Sequence, residues 1–255
     1  MIDIKTTEEI EILAEGGKIL GEILGQLCEM CQPGVSTFEL EQEAEKLIAQ
    51  AGGISSFKNY NGYPFILCTS LNEEVVHAFP SKKTILKNGD ILGIDIGMKY
   101  KGFYTDMAYT VSVGKLNSDT KKLVEVTKQA LQIGIDQIKP GNHIGDIGSA
   151  IQKFVNEHKL GYGIVREFAG HGVGRKVHED PMIPNYGKAG EGAKLKPGMV
   201  LAIEPMVTMG DWRVMVMDNG WTVVTADNSL AAHFEKTVVV TEDGCRELTP
   251  FVYDK

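Results

Sequence analysis

The feature that most constrains this chain is a pattern that occurs twice. Lys87-Asn88-Gly89-Asp90-Ile91-Leu92-Gly93-Ile94-Asp95 returns in the second half as Lys196-Pro197-Gly198-Met199-Val200-Leu201-Ala202-Ile203-Glu204. Each copy is a turn, then an apolar strand, then one carboxylate where the apolar run would continue. A second acid follows each: Asp106 ahead of the apolar stretch 108–113, and Glu235 ahead of 237–240. A lone acid at a strand end usually just meets solvent. Four at matched positions of a duplicated pattern fit that explanation poorly, and two halves related by a pseudo-twofold axis would deliver all four to one place.

The helices that precede each copy are duplicated too. Thr6 and Glu9 form a capping box ahead of Ile10, Leu13, Gly17, Leu20, Leu24 and Leu27, spaced three and four apart, and Pro33-Gly34 ends that helix. Ser36 and Glu39 open a second helix along Leu40, Ala44, Leu47 and Ala51, stopped by Gly52-Gly53. In the second half, a helical run over 123–138 breaks at Pro140-Gly141, and another over 144–160 closes at Gly161. The repeat units are about 1–115 and 116–255. With 255 residues, of which 43% are hydrophobic, one compact domain spanning 1–255 is the expected organisation.

Several function classes are excluded early. A net charge of −8 without any basic block argues against a nucleic-acid or anionic-membrane partner. There is no basic-then-apolar leader and no apolar run long enough to span a bilayer, so the expected location is the cytoplasm. The four cysteines fit a reducing compartment. Cys28 and Cys31 make one Cys-x-x-Cys pair at a helix end, with no second pair to complete a zinc site.

Carboxylates held close repel one another unless cations neutralise them, so four acids call for metal. Two bridged divalent ions with one added imidazole generate hydroxide near neutral pH and clamp a tetrahedral intermediate, which suits hydrolysis of an acyl bond. The imidazole candidate is His171 in Ala169-Gly170-His171-Gly172-Val173-Gly174, where flanking glycines permit close approach. His178 follows in Val177-His178-Glu179-Asp180-Pro181, and His77 occupies the corresponding strand region of the first half. Neutral imidazoles beside such a metal pair can hydrogen-bond a substrate amide and its intermediate. His143 and His158 read as exposed helix residues. His233, two positions before Glu235 on the same strand face, is open to a supporting role beside the ligands.

Together, Gly170-His171-Gly172-Val173-Gly174, His178-Glu179-Asp180-Pro181, Ile203-Glu204-Pro205-Met206 and Glu235 resemble the type I methionine aminopeptidases of the M24 metallopeptidases. The likeness covers nearly the whole chain: Asn72-Glu73-Glu74-Val75-Val76-His77, Asp95 with Asp106, Gly220-Trp221-Thr222 and Val240-Thr241-Glu242-Asp243-Gly244-Cys245 also match. The resemblance implies an α+β pita-bread fold, two pseudo-symmetric halves curving an antiparallel sheet around a dinuclear metal site. It further implies that Asp95 chelates one ion, that His171 and Glu204 bind the other, and that Asp106 and Glu235 bridge. Glu204 would shuttle the proton as metal-activated hydroxide attacks the scissile amide. His77 and His178 would hold that amide, and Tyr60, Tyr63, Cys68 and Trp221 would line the methionine pocket.

The implied reaction is removal of an N-terminal methionine from nascent chains when the second residue is small. A monomer with transient ribosome contact is implied as well. One nitrogen among many carboxylate oxygens suits Co, Mn, Fe or Zn. The sequence departs from the family at the pocket: Val177 stands where an aromatic residue is frequent, Ala78 where glycine is common, and Tyr104-Thr105 where His-Gly is frequent. These changes leave the ligands intact and bear on selectivity. An Xaa-Pro dipeptidase or aminopeptidase would share fold and ligands. Such enzymes usually carry an added N-terminal domain, and Trp221 with His178-Glu179-Asp180-Pro181 favours the methionine enzyme. A pita-bread binding protein would have lost ligands, and a carboxylate-rich metal carrier would not need two histidines beside the ions.

Overall fold

The computed structural model describes residues 2–158 and 160–251; Met1, Lys159 and 252–255, parts of the expected 1–255 domain, lie outside the described residues. The first half comprises α1 (Thr7–Met30), α2 (Thr37–Gln50), β1 (Ile54–Ser55), β2 (Leu67–Leu71), β3 (Glu74–Val76), β4 (Ile91–Tyr100) and β5 (Phe103–Ser112). The second begins with α3 (Ser118–Ile135), α4 (Ile144–Glu157), β6 (Gly163–Ile164), β7 (Gly170–Gly172), β8 (Glu179–Ile183) and β9 (Val200–Ile203). It continues with β10 (Met206–Thr208), β11 (Val214–Val216), β12 (Val223–Thr225), β13 (Ala231–His233), β14 (Lys236–Val240) and β15 (Cys245–Glu247).

Both capping boxes form as the sequence predicts. The Thr6 hydroxyl accepts from the Glu9 N–H at 3.3 Å while the Glu9 carboxylate accepts from the Thr6 N–H at 2.9 Å, and Ser36 and Glu39 repeat the exchange. The helix expected over 123–138 starts earlier and ends earlier, because Asn117 caps it by accepting from the Asp119 and Thr120 N–H groups. His143 and His158 correct the sequence reading. Each is a half-buried cap residue of α4 rather than an exposed helix residue: the His143 N–H donates to Asp146, and His158 Nδ1 lies 3.0 Å from the Phe154 carbonyl.

In the first half β4 pairs with β1, β2 and β5, and in the second the strand order is β15-β14-β9-β7-β8. The two sheets meet along β5 and β14. Ala108 and Glu235 exchange backbone hydrogen bonds at 2.9 and 3.4 Å, and the Thr237 hydroxyl donates to the Asp106 carbonyl at 2.7 Å while accepting from its N–H at 3.1 Å. This seam carries Asp106 and Glu235, with Asp95 on β4 and Glu204 at the end of β9 one strand away on either side. Leu20, Leu24, Leu27 and Leu40 of α1 and α2 pack on Leu92, Ile94 and Ile96 of β4. Leu123, Val126, Ile147 and Ile151 of α3 and α4 pack on Leu201, Ile203 and Val238. Tyr109 touches both layers, and Leu13 of α1 reaches Val173 and Val200 of the second half. Among the described residues no helix is long and apolar enough to cross a membrane.

Candidate metal centre and pocket

Strand register sets the four acids. Asp95 lies in the middle of β4, opposite Ala108 on β5 and Cys68 on β2, so the apolar run continues past it instead of ending there. Asp106 faces Gly97 across the β4–β5 hairpin. A Cβ at position 97 would fall 2.0 Å from Ser56 Oγ and 3.0–3.1 Å from a Phe57 ring carbon and Asp106 Oδ1, so this glycine first makes room for the Ser56 hydroxyl and also leaves space for the ring and the carboxylate. Glu204 is the first residue after β9, its carbonyl accepting from the Asn185 amide at 3.0 Å. Glu235 precedes β14, at the seam.

His171 sits in β7 at a bulge: it pairs with Met182 on β8, but Gly172 pairs with Glu179. Such a bulge re-aims a side chain. The flanking glycines do serve close approach. A Cβ at Gly170 would fall 2.3 Å from the Ala202 carbonyl, and one at Gly172 would fall 2.2 Å from the Asp180 carbonyl. His171 Nδ1 lies 2.9 Å from the Gly172 carbonyl. A carbonyl only accepts, which assigns the hydrogen to Nδ1 and leaves the Nε2 lone pair for ligation. Ligand atoms of Asp106, His171 and Glu235 all lie within 4.8 Å of one another, and Glu204 Oε1 lies 3.6 Å from His171 Nε2.

The electrostatics of this cluster demand a counter-charge. Burial, joined by repulsion from neighbouring acids, drives the Asp106, Glu204 and Glu235 carboxyls well above their ordinary range. Burial pushes Asp95 up to about 7. Asp95 Oδ1, Asp106 Oδ1 and Glu235 Oε1 are buried without a hydrogen-bond partner. Buried oxygens left in this way are costly, and divalent cations would satisfy them. Burial lowers His171 to about 3 and His77 to about 4, and the ring of His178, though its residue is exposed overall, is lowered as well by partial desolvation where it lines the cavity, so these imidazoles are neutral near pH 7.

Above the acids lies a cavity of about 230 Å³ lined by all eleven residues singled out from the sequence for ligation, proton transfer or the pocket, together with Phe57 and Asn61. A larger cleft of about 530 Å³, bordered by Tyr109, Lys128 and Phe251, shares Glu235 with it but is lined by no imidazole. His77 stands one residue beyond β3, in the left-handed region with φ 60°, rather than within a strand. Its ring meets those of Phe168 and Trp221 edge-on at 5.4 and 6.3 Å. His178 is exposed just before β8, with Nδ1 3.0 Å from the Tyr60 hydroxyl.

Tyr63 packs edge-on against Trp221 at 5.1 Å and donates its hydroxyl to the Leu67 carbonyl at 2.8 Å. Trp221 arrives on the β11–β12 hairpin, which pairs with β3 and so stands beside His77. Val177 is buried and is not among the lining residues, so its small size does not by itself widen the pocket. The sequence reading missed Phe57 and Asn61. It also missed Glu41, a buried acid that accepts from the Ile66 and Leu67 N–H groups at 2.8 and 2.9 Å and fixes the start of β2 beneath Cys68. No motif marks Glu41, which reads as one more polar position on a helix.

Comparison with known proteins agrees with this geometry. Residues 11–242 match Metallopeptidase family M24. The methionine aminopeptidase of Clostridium acetobutylicum is 46% identical over 249 residues, covering 98% of this chain and 99% of that protein. The crystal structure of the Thermotoga maritima methionine aminopeptidase superposes with a TM-score of 0.95 at 44% identity, covering 98% of this chain and 99% of that one. The Pyrococcus furiosus prolidase superposes with a TM-score of 0.77 at 25% identity, with 97% of this chain matching 65% of that one. The chain has the pita-bread fold and belongs to metallopeptidase family M24, within it to the methionine aminopeptidases.

Proposed function

We propose that this chain, as a single catalytic domain, removes the first methionine from nascent polypeptides whose second residue is small. In this reading Asp95, Asp106, His171, Glu204 and Glu235 hold two divalent cations. Once bound, the cations lower the pKa of water and polarise the scissile carbonyl. The observation that carries the reading is the convergence of four acids, Asp106 and Glu235 buried and Asp95 and Glu204 half-buried, three of them with orphaned oxygens, and one lone-pair-bearing imidazole at the floor of an aromatic-walled cavity.

The chain's own groups then divide the work. Glu204, whose carboxyl is raised by burial and by its neighbours, takes the proton from the attacking water and returns it to the leaving amine. His77 and His178, both neutral, hold the amide and the oxygen that becomes negative. Tyr63, Cys68 and Trp221 surround the thioether, where sulfur–aromatic contacts are worth roughly 0.3 to 1.5 kcal/mol each. Tyr60 has a second task beside lining the pocket, because its hydroxyl fixes His178 through Nδ1. A bulky second residue would crowd His77 and His178 and shift the amide, and a displacement of about 1 Å costs roughly 10²-fold.

The reading extends to a cytoplasmic monomer with only transient ribosome contact. It rests there on the family likeness and on the net charge of −8, which suits no lasting hold on RNA. Turnover of Met-Gly-x, Met-Leu-x and x-Pro peptides, after chelation and re-addition of each metal, tests the proposal. Met-Gly-x should be cleaved far faster than the others. Equal rates on Met-Gly-x and Met-Leu-x, or preference for x-Pro, would overturn the methionine assignment.

A further inference from the structure

Glu204 stands between two imidazoles. Its Oε1 lies 3.6 Å from His171 Nε2 and its Oε2 lies 3.7 Å from His233 Nε2. His171 belongs to the ligand set, whereas His233 does not line the cavity and the reaction above leaves it unused. His233 is only 3% exposed, and its Nε2 is buried without a hydrogen-bond partner. A buried polar atom left in that state costs roughly 1–3 kcal/mol, so its place calls for an explanation.

The protonation of His233 follows from its surroundings. A lone pair on Nε2 would face the lone pairs of the Glu204 carboxylate, which assigns the hydrogen to Nε2. The backbone gives the ring little freedom. His233 closes β13, which pairs with β10 at Met206, two residues beyond Glu204. The Thr110 hydroxyl accepts from the His233 N–H at 2.9 Å and donates to its carbonyl at 2.7 Å, tying it to β5, the strand of Asp106. Hydrogen bonds need about 2.7–3.2 Å, a gap that a small turn of the Glu204 carboxylate closes.

We infer that His233 is a positioning residue whose Nε2–H holds Glu204 Oε2, leaving Oε1 to the cluster on the His171 side. The inference rests on the reading of Glu204 as ligand and proton carrier. Its consequence is a division between the two oxygens of one carboxylate, one turned to the ligands and one held by a donor. Without that donor Glu204 is free to rotate, and both cation binding and proton transfer lose their geometry.

The test uses three variants of the full chain. His233→Leu removes the donor, His233→Gln carries an amide N–H close to the Nε2 position, and His233→Asn carries the same amide too short to reach. His233→Leu should lower kcat roughly 10–100-fold with KM little changed, and should weaken calorimetric cation affinity by a similar factor. His233→Asn should behave like His233→Leu, and it keeps the test available should the leucine variant fail to fold. His233→Gln should recover most of both losses. Thermal stability should not follow the same order, because His233→Leu also removes an unpaired buried polar atom. Wild-type cation affinity and kcat in His233→Leu or His233→Asn would overturn the inference, as would a folded His233→Gln as impaired as they are. If the unsubstituted chain cleaves no Met-Gly peptide, the functional reading fails, while cation affinity across the three variants still decides the role of His233.

Discussion

The floor of the site and its wall are built differently. The floor acids Asp95 and Asp106 sit within the β4–β5 hairpin, Glu204 follows β9 and Glu235 precedes β14, so Asp106 and Glu235 stand at the seam and the other two one strand away on either side. The wall comes from connections: the 57–63 loop with Asn59 and Asn61 at positive φ, the exposed His178, and the β11–β12 hairpin with Trp221. Register fixes each floor side chain to a fraction of a strand spacing, which a cation cluster requires. Loops can change a wall without moving the floor, whereas the departures from the family pattern do neither: Tyr104 and Thr105 lie within β5, Ala78 and Val177 are buried, and none of the four lines the cavity or belongs to the proposed ligand set. The difference teaches that chemistry is anchored where the two halves meet, while selectivity is tuned on connections.

This contrast can be broken from its strongest side first. Glu204→Gln alters the floor residue proposed to be both ligand and proton carrier, so kcat should fall roughly 10² to 10⁴-fold. Steady-state kinetics with saturating metal checks it, and a variant keeping most of the wild-type kcat would remove Glu204 from proton transfer. His178→Ala touches the wall where it is proposed to meet the reacting amide. Loss of one donor to developing negative charge costs roughly 10² to 10³-fold in kcat, with metal content unchanged. If the variant instead loses an ion by elemental analysis, His178 belongs to the floor and the division drawn here is misplaced.

Tyr60→Phe sharpens the comparison at its smallest scale. It keeps the ring in the wall and removes only the hydroxyl 3.0 Å from His178 Nδ1. One neutral hydrogen bond is worth about 0.5–1.5 kcal/mol, so kcat should drop several-fold with little change in KM. A rise in KM alone would make Tyr60 a pocket wall and nothing more.

Much of the floor was legible in the sequence, and the reason is physical. Duplication exposed it: the strand-then-acid pattern at Asp95 and Glu204 repeats, and glycines flank His171 because neighbouring carbonyls approach to 2.2–2.3 Å of where a Cβ would stand. Helix starts were legible through the capping boxes at Thr6 and Ser36, whose hydrogen bonds are local. Phe57, Asn61 and Glu41 were not, because their roles arise from contacts between segments distant in sequence. The alternation of residues at 233 and 235 pointed toward His233, but only the folded chain shows its Nε2 facing Glu204 rather than Glu235.

The central claim, that the seam assembles a site for two cations, is tested most directly by calorimetric titration of divalent metal into the fully chelated protein. The account predicts two ions per chain, with the stoichiometry reduced when an acid proposed to bridge them is replaced, as in Asp106→Asn or Glu235→Gln. Saturation of both binding and activity at one ion would contradict it.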